Sequence, residues 1–214
     1  MTQLLSNFDV SHITLGDEIK YGKVGNSFLP FTSRIEVQFG KGKDDMMNSR
    51  FGLSKPFKNE SGDKLNLEFT PTEVDASKLA EMDNFFREQV NENGRAWFKK
   101  DKKFEYKPLL SVDNDGRNIA KVKVIVRAED KITDVYQLDD EDNIVKKDSD
   151  ALKTCNSKVC IIAKSTSMWF SNGQCGVSFN AVAIVVRKSQ VNSTSTQQWA
   201  DTFCDLVAKE GKDF

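Results

Sequence analysis

The sequence predicts a mainly β protein, built as a small antiparallel barrel or sandwich with helical additions. Three observations support this class. Short segments that alternate polar and apolar residues recur along the 214-residue chain, and a period of two is typical of strands with one buried side. Amphipathic segments predict two helices, one in mid-chain and one near the end. Polar loops separate these segments, as expected for many short strands with few helices.

Six segments predict strands. Residues 177–187 give the strongest of them, and its apolar run predicts burial on both sides at its end. Residues 119–127 alternate, which places Lys121 and Lys123 on one face and valines on the other. The remaining predicted strands are residues 34–39, 64–69, 133–138 and 158–164.

The mid-chain helix is predicted over residues 75–93. Asp75 is expected to cap its first turn, Val74 to pack onto Leu79, and Gly94 to end it. Its apolar face is expected to comprise Leu79, Met82, Phe86 and Val90. Because about three strands precede it, this helix fits the OB-type barrel, which often carries a helix between its third and fourth strands.

A second helix is predicted from Ser195, with Gln198 at capping-box spacing and Gly211 at its end. Its apolar stripe comprises Trp199, Phe203, Leu206 and Val207. The expected organisation is therefore one OB-like β-barrel domain over residues 1–190, followed by a C-terminal helix and tail over 191–214.

Charge is balanced overall but uneven along the chain. The 31 basic and 32 acidic residues leave a formal net charge of -1, so a whole-chain basic character is absent. Residues 95–107 are locally basic and residues 139–150 locally acidic. A local basic patch acts on a phosphate within a Debye length of about 8–10 Å, so it can work in a neutral chain.

The sequence offers little for catalysis, and no cofactor is predicted. The single histidine, His12, and four cysteines without a CxxC pair disfavour zinc. The glycine-rich segment at residues 40–43 lacks P-loop spacing. No segment predicts a membrane span or a signal peptide, so an intracellular protein is expected. A binding module therefore ranks above an enzyme, with a hydrolase using His12 as the weakest alternative.

Two Trp-Phe pairs favour a nucleic-acid ligand. Trp97-Phe98 precedes a cluster of lysines, and Trp169-Phe170 precedes the turn at residues 171–173. A ring can stack on an unpaired base while an ammonium meets the phosphate. The alternative is that these rings pack in the core and that the lysines are an ordinary solvated turn. On a strand, only one of Trp169 and Phe170 faces inward.

The sequence therefore predicts two sets of contacts to a single strand. The first set is expected to contact phosphates and comprises Lys99, Lys100, Lys102, Lys103, Lys121, Lys123 and Arg127. The second is expected to stack on bases and comprises Tyr106, Trp169 and Phe170.

Over residues 51–187 the chain resembles an uncharacterised domain family of large algal DNA viruses, itself similar to phage-type OB-fold single-stranded DNA-binding proteins. The resemblance rests on residues 51–54, 79–83, 93–100, 106–110 and 168–182. It implies an OB-type fold and sequence-tolerant binding of single strands. Such proteins often end in an acidic tail closed by phenylalanine, which recruits replication partners. Here only Asp213-Phe214, an acidic residue followed by the closing phenylalanine, matches this tail, whereas Lys209 and Lys212 depart from its acidic pattern.

Two functions from different classes follow. The first is a non-enzymatic single-stranded DNA-binding protein for replication, recombination or repair, located in a host nucleus or a cytoplasmic viral replication compartment. The second is a structural or scaffold protein of a virion or replication compartment, which assembles through the C-terminal helix. A homo-oligomer is compatible with both.

Overall fold

A computed structural model describes residues 2–22, 26–54, 63–98, 103–126, 132–139, 141, 143–153 and 155–188. The predicted C-terminal helix and the tail residues Asp213 and Phe214 lie outside the described residues. Four of the predicted phosphate contacts also lie outside them, namely Lys99, Lys100, Lys102 and Arg127.

The described residues are mainly β, as predicted, with one α-helix. The helix, α1, spans Glu73–Phe98, and short 3-10 turns lie at Leu5–Asn7, Val10–His12 and Ser149–Lys153. The strands in chain order are β1 (Gln3–Leu4), β2 (Lys20–Tyr21), β3 (Ser27–Phe39), β4 (Met47–Ser49), β5 (Leu53–Ser54), β6 (Lys64–Phe69), β7 (Glu105–Lys107), β8 (Leu110–Val112), β9 (Asn118–Ile125), β10 (Asp134–Leu138), β11 (Ile144–Lys147), β12 (Ser157–Ser171), β13 (Gln174–Val177) and β14 (Phe179–Lys188).

The sheet is organised around β12. Its main order is β1-β3-β12-β14-β9-β6-β5, and the other described strands branch from this path. β12 pairs antiparallel with β3 on one side and β14 on the other. Its pairing shifts at Ile162/Ala163 and again at Ser165/Ser167. Such irregularities bend a strand, so β12 curves across the molecule.

The sheet is open, and an isolated bridge draws two distant parts of it together. β4 pairs with β12, while Asn48 bridges to Thr70, the residue that follows β6. The Thr70 amide donates to the Asn48 carbonyl at 2.8 Å, and the Ser49 hydroxyl donates to the Glu68 carbonyl at 2.9 Å. Among the described residues, the paired strands do not form the continuous ladder of a closed barrel.

The predicted strands are largely found. β6 has the predicted bounds, and β3, β9, β10 and β12 contain most or all of the segments predicted for them. The segment predicted as one strand over residues 177–187 is divided between the end of β13 and β14. β14 alternates mostly between buried and half-buried residues, so burial on both sides is partial.

The apolar face of α1 is confirmed, but its ends are not where the sequence predicts. The helix starts at Glu73 because the Thr72 hydroxyl accepts from the Asp75 amide at 3.1 Å, so Asp75 is not the cap. Val74 is 53% exposed, which excludes the expected packing onto Leu79. Gly94 lies inside the helix, and packing of the last turn outweighs its cost of about 1 kcal/mol.

The buried side chains of the described residues form a cluster between α1 and one face of the sheet, here called the inner face; the opposite side is the outer face. On the helix, Met82 and Phe86 are fully buried, and the Phe86 ring stacks on Phe31 at 5.6 Å between centroids. In the sheet, Phe39 makes edge contacts with Phe69 and Phe179. This packing leaves the outer face free of α1.

A buried carboxylate ties α1 to the connection between β7 and β8. Asp83 is 4% exposed and accepts from the Leu109 amide at 2.7 Å, the Leu110 amide at 3.1 Å and the Tyr106 hydroxyl at 2.9 Å. Burial raises the pKa of Asp83, and these three hydrogen bonds oppose the rise. Asp83 therefore fixes residues 106–110 to the helix.

Replacing this carboxylate is expected to destabilise the fold. In Asp83→Asn an amide nitrogen takes the place of one acceptor oxygen, so a buried backbone donor loses its partner at a cost of about 1–3 kcal/mol. Because the folded pKa lies above the ordinary 3.8, the contribution of Asp83 to the unfolding free energy falls as pH rises from that value through the raised pKa. The variant lacks this slope.

Urea unfolding at several pH values measures both effects. Asp17→Asn changes an exposed carboxylate and is the matched control. An Asp83→Asn protein with the stability and the pH slope of the control would show that the three hydrogen bonds contribute nothing.

Candidate nucleic-acid interface

The β12–β13 hairpin places Trp169 and Phe170 on opposite faces of the sheet. Phe170 points inward, is 1% exposed, and contacts the rings of Phe98 and Phe104 at 5.0 and 5.1 Å between centroids. The ring of Trp97 lies 6.2 Å away. The prediction that Phe170 stacks on bases is wrong, because a ring this buried offers no face to a ligand. Trp97 and Phe98 likewise pack onto the sheet, which was the alternative for that pair.

Tyr106 is a structural residue rather than a stacking platform. It lies on the inner face, opposite the buried Cys175, and its hydroxyl donates to Asp83. The Arg87 guanidinium lies 5.7 Å from the centre of its ring. Burial and the Asp83 carboxylate raise its pKa. The prediction that Tyr106 stacks on bases is wrong, because the ring lies on the inner face against Arg87 and its hydroxyl is committed to the helix.

On the outer face, strand register brings two aromatic and two basic side chains into line. Trp169 lies opposite Phe28 in β3 and opposite Gly176 in β13. Phe28 lies opposite Lys20 in β2, and Gly176 lies opposite Lys107 in β7. Directly paired residues share a face. We call the series Lys20, Phe28, Trp169, Gly176 and Lys107 the outer row; four inter-strand steps give it a length of about 19 Å.

Glycines make room for both rings of the outer row. A Cβ atom at Gly176 would lie 2.9 Å from the Trp169 ring, and one at Gly22 would lie 2.8 Å from the Phe28 ring. Each ring therefore lies against backbone, in space that a larger residue would fill. Phe28 is 37% exposed and Trp169 is half-buried. The rings are held in place and still reach solvent.

The lysines at the ends of the row differ in their surroundings. Lys20 is exposed. Lys107 Nζ lies 2.6 Å from the Glu105 carboxylate, in a pair that is open to solvent. Exposed pairs of this kind contribute little free energy, so a phosphate can replace the carboxylate.

Lys121 and Lys123 lie on the outer face of β9, on one side as predicted. They line a cavity of about 280 Å³ together with Asn66, Pro108 and Ser178. Pro108 follows Lys107, and Val177, which also lines the cavity, follows Gly176. The cavity therefore begins one residue beyond the outer row along the chain, at both Lys107 and Gly176.

The two lysines of this cavity carry their charge in different environments. Lys121 pairs with Glu68 at 3.0 Å. Burial, with a smaller effect of Lys64, lowers the pKa of Lys123. An anion that enters the cavity would stabilise the charged form of Lys123, because it would replace lost hydration.

Sequence reasoning did not identify Phe28, Lys20 and Lys107. Each becomes a candidate through its partner on a neighbouring strand, and pairing between distant strands is not a local property of the sequence. The polar–apolar alternation of this strand is clear only from Arg34 on, whereas β3 begins at Ser27, so local pattern gave no signal for Phe28. Lys103, from the predicted set, is exposed and lies beyond α1.

Groups suited to catalysis are sparse in the part of the chain that the structure describes. His12 is exposed and lies 3.7 Å from Asp9. No group of three or more potential metal ligands occurs among the described residues. Within the same residues, no helix combines the length and the apolar character needed to cross a membrane.

Comparison with solved structures finds proteins with a similar arrangement of the chain at low sequence identity. No protein-family model matches the chain, and no curated protein matches it either. The single-stranded DNA-binding protein gp2.5 of bacteriophage T7 is similar with a TM-score of 0.48 and 11% identity, over 79% of this chain and 94% of that chain. The single-stranded DNA-binding protein of bacteriophage Enc34 in complex with ssDNA is similar with a TM-score of 0.41 and 14% identity, over 81% of this chain and 96% of that chain.

The role of glycine in seating the tryptophan is testable. In Gly176→Ala the added methyl group meets both the Trp169 ring and the Lys107 carbonyl at 2.9 Å. We expect a loss of about 1–3 kcal/mol in unfolding free energy, typical of overpacking, and a shift in Trp169 emission. Emission is measured in a background with Trp97→Phe and Trp199→Phe, so that Trp169 alone reports.

Gly94→Ala is the matched control. A methyl group at Gly94 would meet nothing within 4 Å, so this change is expected to stabilise α1 by up to about 1 kcal/mol. Unchanged stability and emission in Gly176→Ala would contradict the close seating of the ring.

Proposed function

We propose that this protein is a non-enzymatic, sequence-tolerant single-stranded DNA-binding protein, and that the strand lies along the outer row. The observation that carries the proposal is the alignment of Phe28 and Trp169 between Lys20 and Lys107 on one face of the sheet. Rings spaced along a row accept successive bases, and flanking ammonium groups accept phosphates. Stacking does not discriminate strongly between bases, so sequence tolerance follows.

We further propose that the open sheet is a variant of the OB-like barrel. Three features support this: the curvature of β12 at its pairing shifts, the bridge from Asn48 to Thr70, and the position of α1 between β6 and β7. In OB barrels a sheet face binds the strand, and here the outer face is the side that α1 leaves free.

In this proposal the phosphate contacts extend beyond the row. Lys121 and Lys123 receive phosphates in the cavity that begins at Pro108, the residue after Lys107. Lys103 stays a prediction, as do Lys99, Lys100, Lys102 and Arg127. The role in replication, recombination or repair, the intracellular location, the viral setting and recruitment of partners through Asp213 and Phe214 also stay predictions.

Binding is expected to depend on the Trp169 ring. Trp169→Leu removes one stacking platform, worth about 1–3 kcal/mol per base, so the Kd for oligo-dT is expected to rise by about 5- to 150-fold. Fluorescence anisotropy of a labelled oligo-dT measures Kd without using tryptophan emission. Phe51→Ala is the control, because Phe51 is 59% exposed and lies outside the outer row.

The same titrations separate the proposal from the scaffold alternative. That alternative places assembly in the C-terminal helix, so it predicts concentration-dependent assembly without DNA. Absence of binding to oligo-dT at low salt would contradict the proposed function. Preserved affinity in Trp169→Leu would remove Trp169 from the interface.

Binding is also expected to weaken with salt. Each phosphate neutralised contributes about -0.7 to the slope of log K against log salt for single strands. Lys20→Gln and Lys107→Gln are each expected to reduce the magnitude of the slope by about that amount. Lys147→Gln, an exposed lysine on β11, is the matched control and should leave the slope unchanged. Wild-type slopes in both outer-row variants would exclude these lysines as phosphate contacts.

A further inference from the structure

A second cavity, lined largely by aromatic side chains, lies at the end of the β12–β13 hairpin, on the inner side of the sheet. It has a volume of about 430 Å³ and is lined by residues that include Tyr21, Phe98, Lys103, Phe104, Asn172 and Gly173. We call it the edge pocket. Phe170 also lines it, as a buried ring, so the pocket belongs to the other face of the hairpin from Trp169.

The lining of the edge pocket suits a flat ring joined to an anion. Tyr21 is 78% exposed, and the rings of Phe98 and Phe104, 4.7 Å apart between centroids, are half-buried. Its volume lies within the range of small-molecule sites, about 300–1,000 Å³. Lys103 is exposed and supplies a positive charge, and the described lining residues include no carboxylate. An unpaired base with its phosphate matches this combination.

The edge pocket and the outer row meet at the same edge of the sheet. Tyr21 follows Lys20, and in the register Tyr21, Ser27 and Phe170 form the series next to Lys20, Phe28 and Trp169, on the opposite face. The turn that joins β12 to β13 is tight, because Asn172 and Gly173 both have positive φ, 50° and 75°. A Cβ at Gly173 would meet nothing within 4 Å, so the turn leaves space for a strand to pass over it.

We propose that the edge pocket captures one unpaired base of the same DNA strand that lies on the outer row, with Lys103 at its phosphate. This inference rests on the proposed function. The strand leaves the row at Trp169, passes over the turn at residues 171–173 and inserts a base beside Tyr21, Phe98 and Phe104. The DNA strand thus contacts both faces of the β12–β13 hairpin.

Exposed residues of the pocket give variants that keep the core intact. Tyr21→Ala and Lys103→Gln change side chains that the core does not use, and Phe51→Ala and Lys147→Gln are their matched controls. Kd is measured by anisotropy for oligo-dT of about 4 and about 16 nucleotides, the limits of site size for one OB fold. Trp169→Leu is measured in parallel to report on the outer row.

We expect Tyr21→Ala to raise the Kd for the long strand by about fivefold or more, with a smaller effect on the short strand. Lys103→Gln is expected to lower the salt slope for the long strand by about 0.7. Photocrosslinking of an iodouracil-substituted long strand to the wild-type protein is expected to reach Tyr21 or Phe104.

The contrary outcomes separate the pocket from the row. Long-strand affinity within about twofold of wild type in both pocket variants, with affinity lost in Trp169→Leu, overturns the edge pocket and leaves the proposed function in place. Crosslinks confined to Phe28 and Trp169 have the same meaning. Absence of binding by the wild-type protein to either strand overturns both proposals together.

Discussion

The arrangement of the candidate interface depends on the packing of Phe170 against the last turn of α1. The ring is 1% exposed and is surrounded by Trp97, Phe98 and Phe104. Because side chains alternate along a strand, burial of Phe170 fixes the opposite orientation of Trp169. The same contact holds the end of α1 on the inner face. Apolar packing on one side of β12 thus determines which ring is presented on the other.

A second constraint fixes the far end of the outer row. β7 pairs with β13 and carries Lys107 on the outer face, while the connection that follows β7 is held by the buried carboxylate of Asp83. Three hydrogen bonds offset part of the cost of burying that group. The helix therefore supports the row at two points, through Phe170 and through residues 106–110. Both supports act from the inner face, so the outer face needs no helix of its own.

The sequence was sufficient for features that depend on local pattern. The period of two predicted β6 with its bounds, and the helical period predicted the buried residues Leu79, Met82, Phe86 and Val90. The predicted ends of the helix were wrong because the ends depend on contacts outside the helical period. The Thr72 hydroxyl caps the first turn of α1. Packing of Trp97 and Phe98 extends the helix past Gly94.

The site was less accessible to sequence reasoning. Alternation showed that one of Trp169 and Phe170 faces inward but did not say which, because that choice depends on α1. The sequence alone does not show that the Tyr106 hydroxyl bonds to Asp83, because the two residues meet only through the tertiary packing of α1. Phe28 became a candidate through a pairing across 141 positions of the chain, which no local pattern contains.

Under the proposed function, the placement of the lysines accounts for the binding of a polyanion by a chain with a net charge of -1. Lys107 and Lys121 lie on the outer face beside Glu105 and Glu68, so each is largely neutralised in the free protein. A phosphate that replaces Glu105 gains an ammonium partner and frees an exposed carboxylate to water, whereas Glu68 is half-buried and regains less solvation. Lysines that are paired with carboxylates give a weaker electrostatic field at long range than an unpaired basic surface does. In the proposed function, affinity depends more on the seated rings of Phe28 and Trp169, and the charges position the strand over them.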